Sequence, residues 1–180
     1  GKDMIILIGG ASHTGKTLLA QRLMEQLHIP YLSIDHLKMG LIRSGMITLD
    51  AYSEEAQLTA CLWPIVREMI KAAIENRQQL IVEGCYIPVR WQEDFSAAYL
   101  QAIRSVWLLM SDAYICDRFD EILAHADIIE QRKADDCTMA ELREDNARLR
   151  RLCALYALPH VLIDGQYPED ILAAAQKEIR

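Results

Sequence analysis

The sequence lacks a long apolar run, a paired-cysteine motif and an excess of positive charge. Its longest apolar stretches, such as Ile103–Met110, are far shorter than the roughly 20 residues that span a bilayer, so no membrane partner is expected. The five cysteines form an odd set without a C-x-x-C pair, which argues against a disulfide framework or a zinc site and favours a cytoplasmic protein. The net charge of −7 argues against a nucleic-acid partner, because such proteins normally present a basic surface.

The length and composition favour one globular domain. A chain of 180 residues, 52% of them apolar, is long enough to bury a core without disulfides or a structural metal. Neither an internal repeat nor a linker interrupts it, so we expect a single domain over residues 1–180, as a monomer or a homodimer. The first residues lead directly into a strand pattern, so no secretory leader is expected.

Short apolar runs alternate with helix-like segments along the chain. This alternation is typical of a parallel α/β sheet. The five predicted strands are Met4–Ile8, Tyr31–Ile34, Leu80–Val82, Ile103–Met110 and His160–Ile163.

Two early helices have clear boundaries in the sequence. The first is predicted to begin near Gly15 and to end before Pro30. A longer pattern of period 3.6 covers Ser53–Arg77, with Ser53 as the predicted N-cap. Pro64 lies inside this pattern and is expected to kink or split the helix.

Two later helix starts are also marked. Thr138–Glu141 fits a capping box, and Pro168 opens a final helix. The segment Asp117–Arg151 is dense in both signs of charge and poor in strand-forming residues. We predict that it is an exposed helical excursion.

The stretch GASHTGKT, Gly10–Thr17, fits G-x-x-x-x-G-K-[ST], the P-loop or Walker A pattern, between a predicted strand and a predicted helix. Glycines allow backbone amides to converge on phosphates, while Lys16 supplies a cation for the β- and γ-phosphates and Thr17 a hydroxyl for Mg²⁺. The alternative is a tight turn that carries Lys and Thr without a ligand. The predicted nucleotide-binding residues of the loop are Gly10, Ala11, Ser12, His13, Thr14, Gly15, Lys16 and Thr17.

On this loop and on three later stretches, the chain resembles the nucleoside and nucleotide kinase-like group of P-loop proteins, which includes adenylate, shikimate and gluconate kinases. The resemblance implies a three-layer α/β/α fold, a five-stranded parallel sheet in the order 2-3-1-4-5 and a helical lid. It also implies ATP and Mg²⁺ as cofactors. The segment IDHLKMGLIRSG is closer to small-molecule kinases, including the group that phosphorylates 2-phosphoglycerate, than to nucleotide kinases.

Asp35 is the first residue that this resemblance singles out. It ends the second predicted strand, beside the phosphate loop, where a carboxylate could take the proton of an acceptor hydroxyl. The alternative is that Asp35 caps a helix beginning at His36. Arg43, at the end of the same segment, is a candidate for acceptor binding.

The stretch LIVEGCYIPVR, Leu80–Arg90, is similar to the strand, acid, glycine and arginine of adenylate kinase-like proteins. The resemblance implies that Glu83 holds a Mg²⁺-bound water or acts as an alternative base, and that Gly84 lets the substrate approach the backbone. Arg90 would bind an anionic acceptor, although Val89 separates it from the proline that precedes the arginine directly in the family. A surface role for Arg90 is the open alternative.

The excursion at residues 117–151 occupies the position of the family's lid. A lid can bring positive charge over the transferred phosphoryl group, and Arg118 and Arg132 are the candidates for this role. The alternative is that these arginines form solvated ion pairs with acidic neighbours on the helix surface. The stretch Tyr156–Gly165 resembles the helix, turn and strand before the adenine-contacting loop of these kinases. The resemblance implies that the residues from Asp164 through Gly165 to Tyr167 lie beside the base and contact it through the backbone.

The predicted function is transfer of the γ-phosphoryl group of Mg-ATP to a hydroxyl or phosphate of a small metabolite. The predicted catalytic residues are Lys16, Asp35, Arg118 and Arg132. One alternative is a nucleotide-responsive ATP-binding regulatory protein without acceptor turnover. Another is a toxin or antibiotic-resistance kinase.

Overall fold

Five parallel strands form one sheet in the computed structural model, which describes residues 4–125 and 138–180. The order across the sheet is β2-β3-β1-β4-β5, and every neighbouring pair is parallel. The predicted order is therefore confirmed, and each strand begins within one residue of its predicted start. The strands are β1 Ile5–Gly10, β2 Tyr31–Ser33, β3 Leu80–Glu83, β4 Ile103–Met110 and β5 His160–Ile163.

Helices join the strands and cover both faces of the sheet. Their bounds are α1 Lys16–Leu27, α2 Ile34–Arg43, α3 Glu55–Glu75, α4 Ala97–Leu100, α5 Asp112–Ala124, α6 Met139–Leu155 and α7 Ile171–Gln176, with a 3-10 helix at Trp91–Asp94. Within residues 4–125 and 138–180, no helix has the length and apolar character required to cross a bilayer.

The core lies on both sides of β1, because successive side chains of a strand point to opposite faces. Ile5 and Leu7 pack in the cluster that contains Leu62 of α3. Ile6 packs in the other cluster, with Leu19 of α1. All five of these side chains are buried. The alternation confirms the predicted three-layer α/β/α arrangement.

The predicted N-cap of α3 is wrong, and of the two outcomes predicted at Pro64, the split does not occur and the kink stays a prediction. The helix begins at Glu55 with Glu54 in the cap position, so Ser53 is not the N-cap. The Ser53 hydroxyl instead accepts a hydrogen bond from the backbone nitrogen of Asp50, 3.0 Å away, within the preceding turn. Pro64 lies inside α3 but does not split it. Buried residues on both sides of the proline, such as Leu62, hold the helix against the sheet.

The predicted excursion at residues 117–151 is only partly exposed. Its described part comprises the end of α5 and most of α6, and Ile122 and Leu142 are buried there with Ile163 of β5. At the base of the two helices, the Arg143 guanidinium donates to both carboxylate oxygens of Asp112 at 2.8 Å. A bidentate pair of this kind fixes orientation as well as distance, so the described parts of α5 and α6 are joined.

Candidate active site

The glycine-rich loop continues directly from β1 into α1. Gly10 has φ 139° and Gly15 has φ 87°, backbone angles that residues other than glycine rarely adopt. A Cβ at Gly10 would also overlap the carbonyl oxygen of Leu108 in β4, and a Cβ at Gly15 would overlap the hydroxyl of Tyr167. The backbone geometry and the close neighbours therefore both require glycine at these two positions.

Two side chains of the loop donate to one carbonyl group. The Lys16 ammonium lies 2.6 Å from the Ala11 carbonyl oxygen, and the Thr14 hydroxyl lies 3.0 Å from it. In the sequence between Ala11 and Thr14, the hydroxyl of Ser12 lies 2.9 Å from Nδ1 of His13. These contacts keep the loop curled at the N-terminus of α1, where unpaired amides and the helix dipole favour an anion. The loop therefore has the form of a phosphate-binding site.

Thr17 and Glu83 bring α1 and β3 together beside this loop. The Thr17 hydroxyl donates to Oε1 of Glu83 at 3.0 Å. Glu83 ends β3 and is only 2% exposed. Burial raises the pKa of the Glu83 carboxyl, while the nearby Lys16 ammonium and hydrogen bonds from Ser33 and Thr17 act in the opposite direction.

The Thr17 and Glu83 pair fits a magnesium ion. Both side chains offer oxygen atoms, the ligands that Mg²⁺ prefers, and a protein commonly supplies only one or two of its ligands. A buried carboxylate whose ionised form is disfavoured would gain from a nearby cation. Thr17 and Glu83 therefore remain the candidate metal-binding residues.

Asp35 lies in the first turn of α2 rather than at the end of β2. The helix begins at Ile34, and Ser33 occupies its cap position, so the alternative that Asp35 caps a helix from His36 is wrong. The Asp35 carboxylate instead forms an ion pair with Lys38, one helical turn further on, with 2.9 Å between Oδ1 and Nζ. The Lys38 ammonium also donates to the Tyr86 hydroxyl at 3.0 Å.

Gly84 lies between Glu83 and Tyr86 and packs closely against α2. A Cβ at Gly84 would lie 2.9 Å from Cβ of Ile34, too close for a side chain without a shift of the helix. The backbone nitrogen of Gly84 donates to the carbonyl oxygen of Ile8 at 3.2 Å. This glycine therefore lets the start of α2, which carries Asp35, approach the end of β3.

A cavity of about 570 Å³ opens beside the phosphate loop. One wall is the loop and the start of α1, and the opposite wall is formed by α5. Tyr167, from the loop after β5, lines the cavity and donates from its hydroxyl to the Thr14 carbonyl oxygen at 3.1 Å. Burial raises the pKa of Tyr167 to about 12, so this hydroxyl stays a donor at neutral pH. The lining residues are His13, Gly15, Lys16, Thr17, Leu18, Gln21, Tyr114, Glu121, Ile122, His125 and Tyr167.

Asp164 and Gly165 lie in the same loop as Tyr167 but do not line this cavity. Asp164 accepts a hydrogen bond from the Ser111 hydroxyl at 2.6 Å, and Ser111 caps α5 by accepting from the backbone nitrogen of Tyr114. Gly165 has φ 71°, which turns the chain toward Tyr167. In the structure Asp164 therefore supports the cavity wall, and the predicted contacts of Asp164 and Gly165 with adenine stay a prediction.

A second cavity, of about 220 Å³, lies on the other side of His13, which lines both. Tyr86 forms part of its wall, so the Asp35–Lys38–Tyr86 contacts end at this cavity. Among the described residues that line it, the charged ones are all acidic. The lining residues are Ser12, His13, Ala51, Tyr52, Ser53, Glu55, Leu58, Cys85, Tyr86, Glu141 and Asp145.

Neither of the arginines predicted to bind the acceptor, Arg43 and Arg90, lines either cavity. Arg43 is exposed at the end of α2. Arg90 is exposed, binds Glu93 and packs over the ring of Tyr156 at 5.6 Å. These two arginines stay predictions for acceptor binding.

The two predicted lid arginines have different outcomes. Arg118 pairs with Glu121, 3.2 Å away, as the ion-pair alternative predicts. Glu121 itself lines the larger cavity, so Arg118 lies one side chain behind its wall. Arg132 lies outside the described residues. The catalytic role of both arginines stays a prediction.

Sequence reasoning missed Lys38, Tyr86 and Tyr114, and it placed Tyr167 only at the end of the predicted adenine-contacting stretch, without a role for its side chain. The signal for Lys38 was its position three residues after Asp35, a spacing that joins side chains only if both lie on one helix. The three tyrosines come from segments distant in sequence from the phosphate loop, and no local motif marks them.

No protein-family model matches the chain, and no curated protein matches its sequence. Solved structures do match it. A protein from Chloroflexus aurantiacus described as a candidate kinase is 17% identical, with full coverage of both chains and a TM-score of 0.59. A shikimate kinase from Bacteroides thetaiotaomicron is 15% identical over 97% of this chain and 95% of its own, with a TM-score of 0.52. A sugar kinase from a Janibacter species is 14% identical over 97% and 93%, with a TM-score of 0.53.

These likenesses define the fold. The chain has the P-loop kinase-like fold, with its five parallel strands in the order 2-3-1-4-5 and helices on both faces. The sheet and the flanking helices that the resemblance implied are therefore confirmed, while the helical lid stays a prediction.

Proposed function

We propose that the protein transfers the γ-phosphoryl group of Mg-ATP to a hydroxyl group of a small molecule. The observation that carries this proposal is the position of one loop between two cavities. His13 lines both, with Lys16 and Thr17 on the side of the larger cavity and Tyr86 on the side of the smaller one. The larger cavity would hold the nucleotide and the smaller one the acceptor.

The residues of the loop would bind the phosphates. Backbone amides between Gly10 and Thr17 would bind phosphate oxygens, and the Lys16 ammonium would exchange its bond to the Ala11 carbonyl for the β- and γ-phosphates. Thr17 and Glu83 would hold Mg²⁺. When bound, the ion supplies charge neutralisation for the phosphates. A lid arginine, Arg118 or Arg132, would add positive charge over the transferred group.

Asp35 would act on the acceptor. Its carboxylate would accept the proton of the acceptor hydroxyl as that oxygen forms a bond to the γ-phosphorus, while the bond from that phosphorus to the β-phosphate oxygen breaks and ADP leaves. Base assistance of this kind contributes about 10²- to 10⁴-fold in rate. Glu83 is less suited to the role, because its carboxyl is buried and already accepts from Thr17.

The charge of the smaller cavity favours a particular class of acceptor. Glu55, Glu141 and Asp145 line it, and no lysine or arginine does so among the described residues. Burial raises the pKa of Asp145, with Arg148 opposing the shift and the neighbouring Glu144 and Glu141 adding to it. An acceptor with amino and hydroxyl groups would complement these carboxylates, whereas a phosphorylated acceptor would be repelled.

This class includes aminoglycoside antibiotics, so the lining gives the resistance-kinase alternative a specific observation in its favour. The acidic lining of the smaller cavity gives less support to a 2-phosphoglycerate-like acceptor, which carries negative charge.

The test is ADP production from Mg-ATP in the presence of separate acceptors. The panel should contain aminoglycosides, other amino sugars, phenicols, neutral sugars, nucleosides, nucleotides and phosphorylated glycerates. Lys16→Ala is the blank, and Lys177→Ala is its matched control, because Lys177 is exposed and lines neither cavity.

Acceptor-dependent turnover that is lost in Lys16→Ala and kept in Lys177→Ala would support the proposal. ATP binding without acceleration by any member of the panel would contradict it. That result would favour the nucleotide-responsive regulatory protein instead.

A further inference from the structure

The contacts among Asp35, Lys38 and Tyr86 carry an inference that rests on the phosphotransferase function proposed above. We propose that Lys38 is a positioning residue, which holds the Asp35 carboxylate in the orientation that accepts the proton of the acceptor hydroxyl. Tyr86 fixes Lys38 in turn. Neither Lys38 nor Tyr86 would touch the transferred phosphoryl group.

The burial of Lys38 is the first observation behind this inference. Lys38 is fully buried, whereas 16% of the Asp35 side chain is exposed. Asp35 is therefore the partly accessible member of the ion pair, and Lys38 is the inaccessible one. A buried ion pair gains little net stability, because desolvation offsets most of the Coulomb attraction, and an apolar residue of similar volume often serves the fold as well. The Asp35–Lys38 pair is therefore better explained by the orientation in which it holds the Asp35 carboxylate than by a gain in stability.

The second observation is the position of Tyr86. Its hydroxyl accepts from the Lys38 ammonium at 3.0 Å, and the ammonium lies 5.2 Å from the centre of its ring. The same residue lines the smaller cavity. Tyr86 thus connects the wall of the proposed acceptor cavity to the residue that holds Asp35.

The third observation is the charge around Asp35. Lys38 of α2 pairs with Asp35 and also bonds to Tyr86, while Glu83 at the end of β3 interacts electrostatically with both Asp35 and Lys16. After burial, which is the main cause, repulsion from Asp35 contributes to the raised pKa of Glu83. Without Lys38, Asp35 would lose the cation that lies 2.9 Å from its carboxylate and favours its ionised form.

The decisive variants are Lys38→Met, Lys38→Arg and Tyr86→Phe. In Lys38→Met, which keeps the volume and removes the charge, we expect kcat to fall about 10- to 100-fold, as a small misplacement of a reacting group can cause. The KM for ATP should stay within about twofold, since the phosphate loop is intact. The acidic limb of the kcat profile should move to higher pH. Lys38→Arg should restore part of kcat, and Tyr86→Phe should lie between Lys38→Met and the unmodified protein.

Lys71→Met is a matched structural control. Lys71 also pairs with a carboxylate three residues away, Glu68 at 3.2 Å, and also lies over a tyrosine ring, Tyr99 at 5.7 Å. It belongs to α3 and lines neither cavity. Lys71→Met should leave kcat and its pH profile unchanged. A uniform loss of activity at every pH in Lys38→Met, with no recovery in Lys38→Arg, would overturn the inference.

A measurement without turnover separates this inference from the function on which it rests. The Asp35 carboxyl can be followed by carbon NMR across pH, with Asp35→Asn to assign its signal. Its titration should move to higher pH in Lys38→Met and stay in place in Lys71→Met. No movement would overturn the role of Lys38 even if the protein is a kinase. If the unmodified protein turns over no acceptor, the phosphotransferase function fails, while the NMR titration still tests the Asp35–Lys38 contact.

Discussion

The side-chain oxygen of Asn146 lies 2.9 Å from the backbone nitrogen of Met110, the last residue of β4. The amide nitrogen of Asn146 donates in turn to the Leu142 carbonyl oxygen at 2.9 Å. Asn146 is fully buried, so these bonds are made away from water. The Met110 carbonyl oxygen accepts from the Arg150 guanidinium at 2.5 Å. One residue at the carboxyl end of the sheet thus anchors two side chains of α6.

Replacement of Asn146 by alanine is expected to destabilise the fold by about 1–3 kcal/mol, because the Met110 amide is left buried without its acceptor. Urea denaturation measures this change. Arg148→Ala, an exposed substitution on the same helix, serves as the control and should change stability by much less. Equal stabilities for the two variants would contradict the importance of this bond.

Replacement of Asp35 by asparagine is expected to lower kcat by about 10²- to 10⁴-fold, because the amide cannot accept the proton of the acceptor hydroxyl. The affinity for ATP should change little, since Asp35 does not line the larger cavity. Steady-state kinetics and calorimetric ATP binding check the two parts. Asp120→Asn, on the exposed side of α5, should keep its full activity. Undiminished kcat in Asp35→Asn would remove Asp35 from the mechanism.

Replacement of Thr17 by valine is expected to weaken binding of the magnesium nucleotide about tenfold or more, equivalent to roughly 1.4 kcal/mol. Valine keeps the shape of threonine but lacks the hydroxyl that lies 3.0 Å from Glu83. Thr17→Ser retains a hydroxyl and should bind normally. Calorimetry with and without Mg²⁺ tests the assignment of Thr17 as a metal ligand. The assignment fails if Thr17→Val weakens nucleotide binding to the same extent when Mg²⁺ is left out.

Glu83 is expected to make stability depend on pH. Because burial is the main cause of its raised pKa, the folded protein binds the Glu83 proton more tightly than the unfolded chain, whose carboxyl titrates near 4.5. Relative to Glu83→Gln, the unmodified protein should therefore lose stability as the pH rises from near 4.5 through the raised pKa. Above that pKa the difference should stay constant.

The comparison of Glu83→Gln with the unmodified protein requires melting temperatures between about pH 4 and pH 8 without nucleotide or metal. Glu169→Gln, at an exposed position, is the control and should follow the unmodified protein. A constant offset between Glu83→Gln and the unmodified protein at every pH would show that the Glu83 proton is not involved.

The sheet is predictable because its strands are short, largely apolar runs that alternate with helical segments. The phosphate loop is predictable because its geometry depends on adjacent residues. The rest of the site depends on contacts between distant segments. The Lys38–Tyr86 bond joins residues 48 positions apart. Even the local pair of Asp35 and Lys38 is not predicted when α2 is assumed to begin at His36, because Asp35 then lies outside the helix.

His13 has φ 68° and belongs to the walls of both cavities. A residue shared by both walls offers a route by which ligands in the proposed nucleotide and acceptor cavities would be coupled. If the nucleotide moves His13, the affinity of the second cavity changes by some factor, and the second ligand must then change the nucleotide affinity by the same factor. The coupling would then pass through one histidine, in addition to the contact between acceptor and γ-phosphoryl group that the proposed transfer requires.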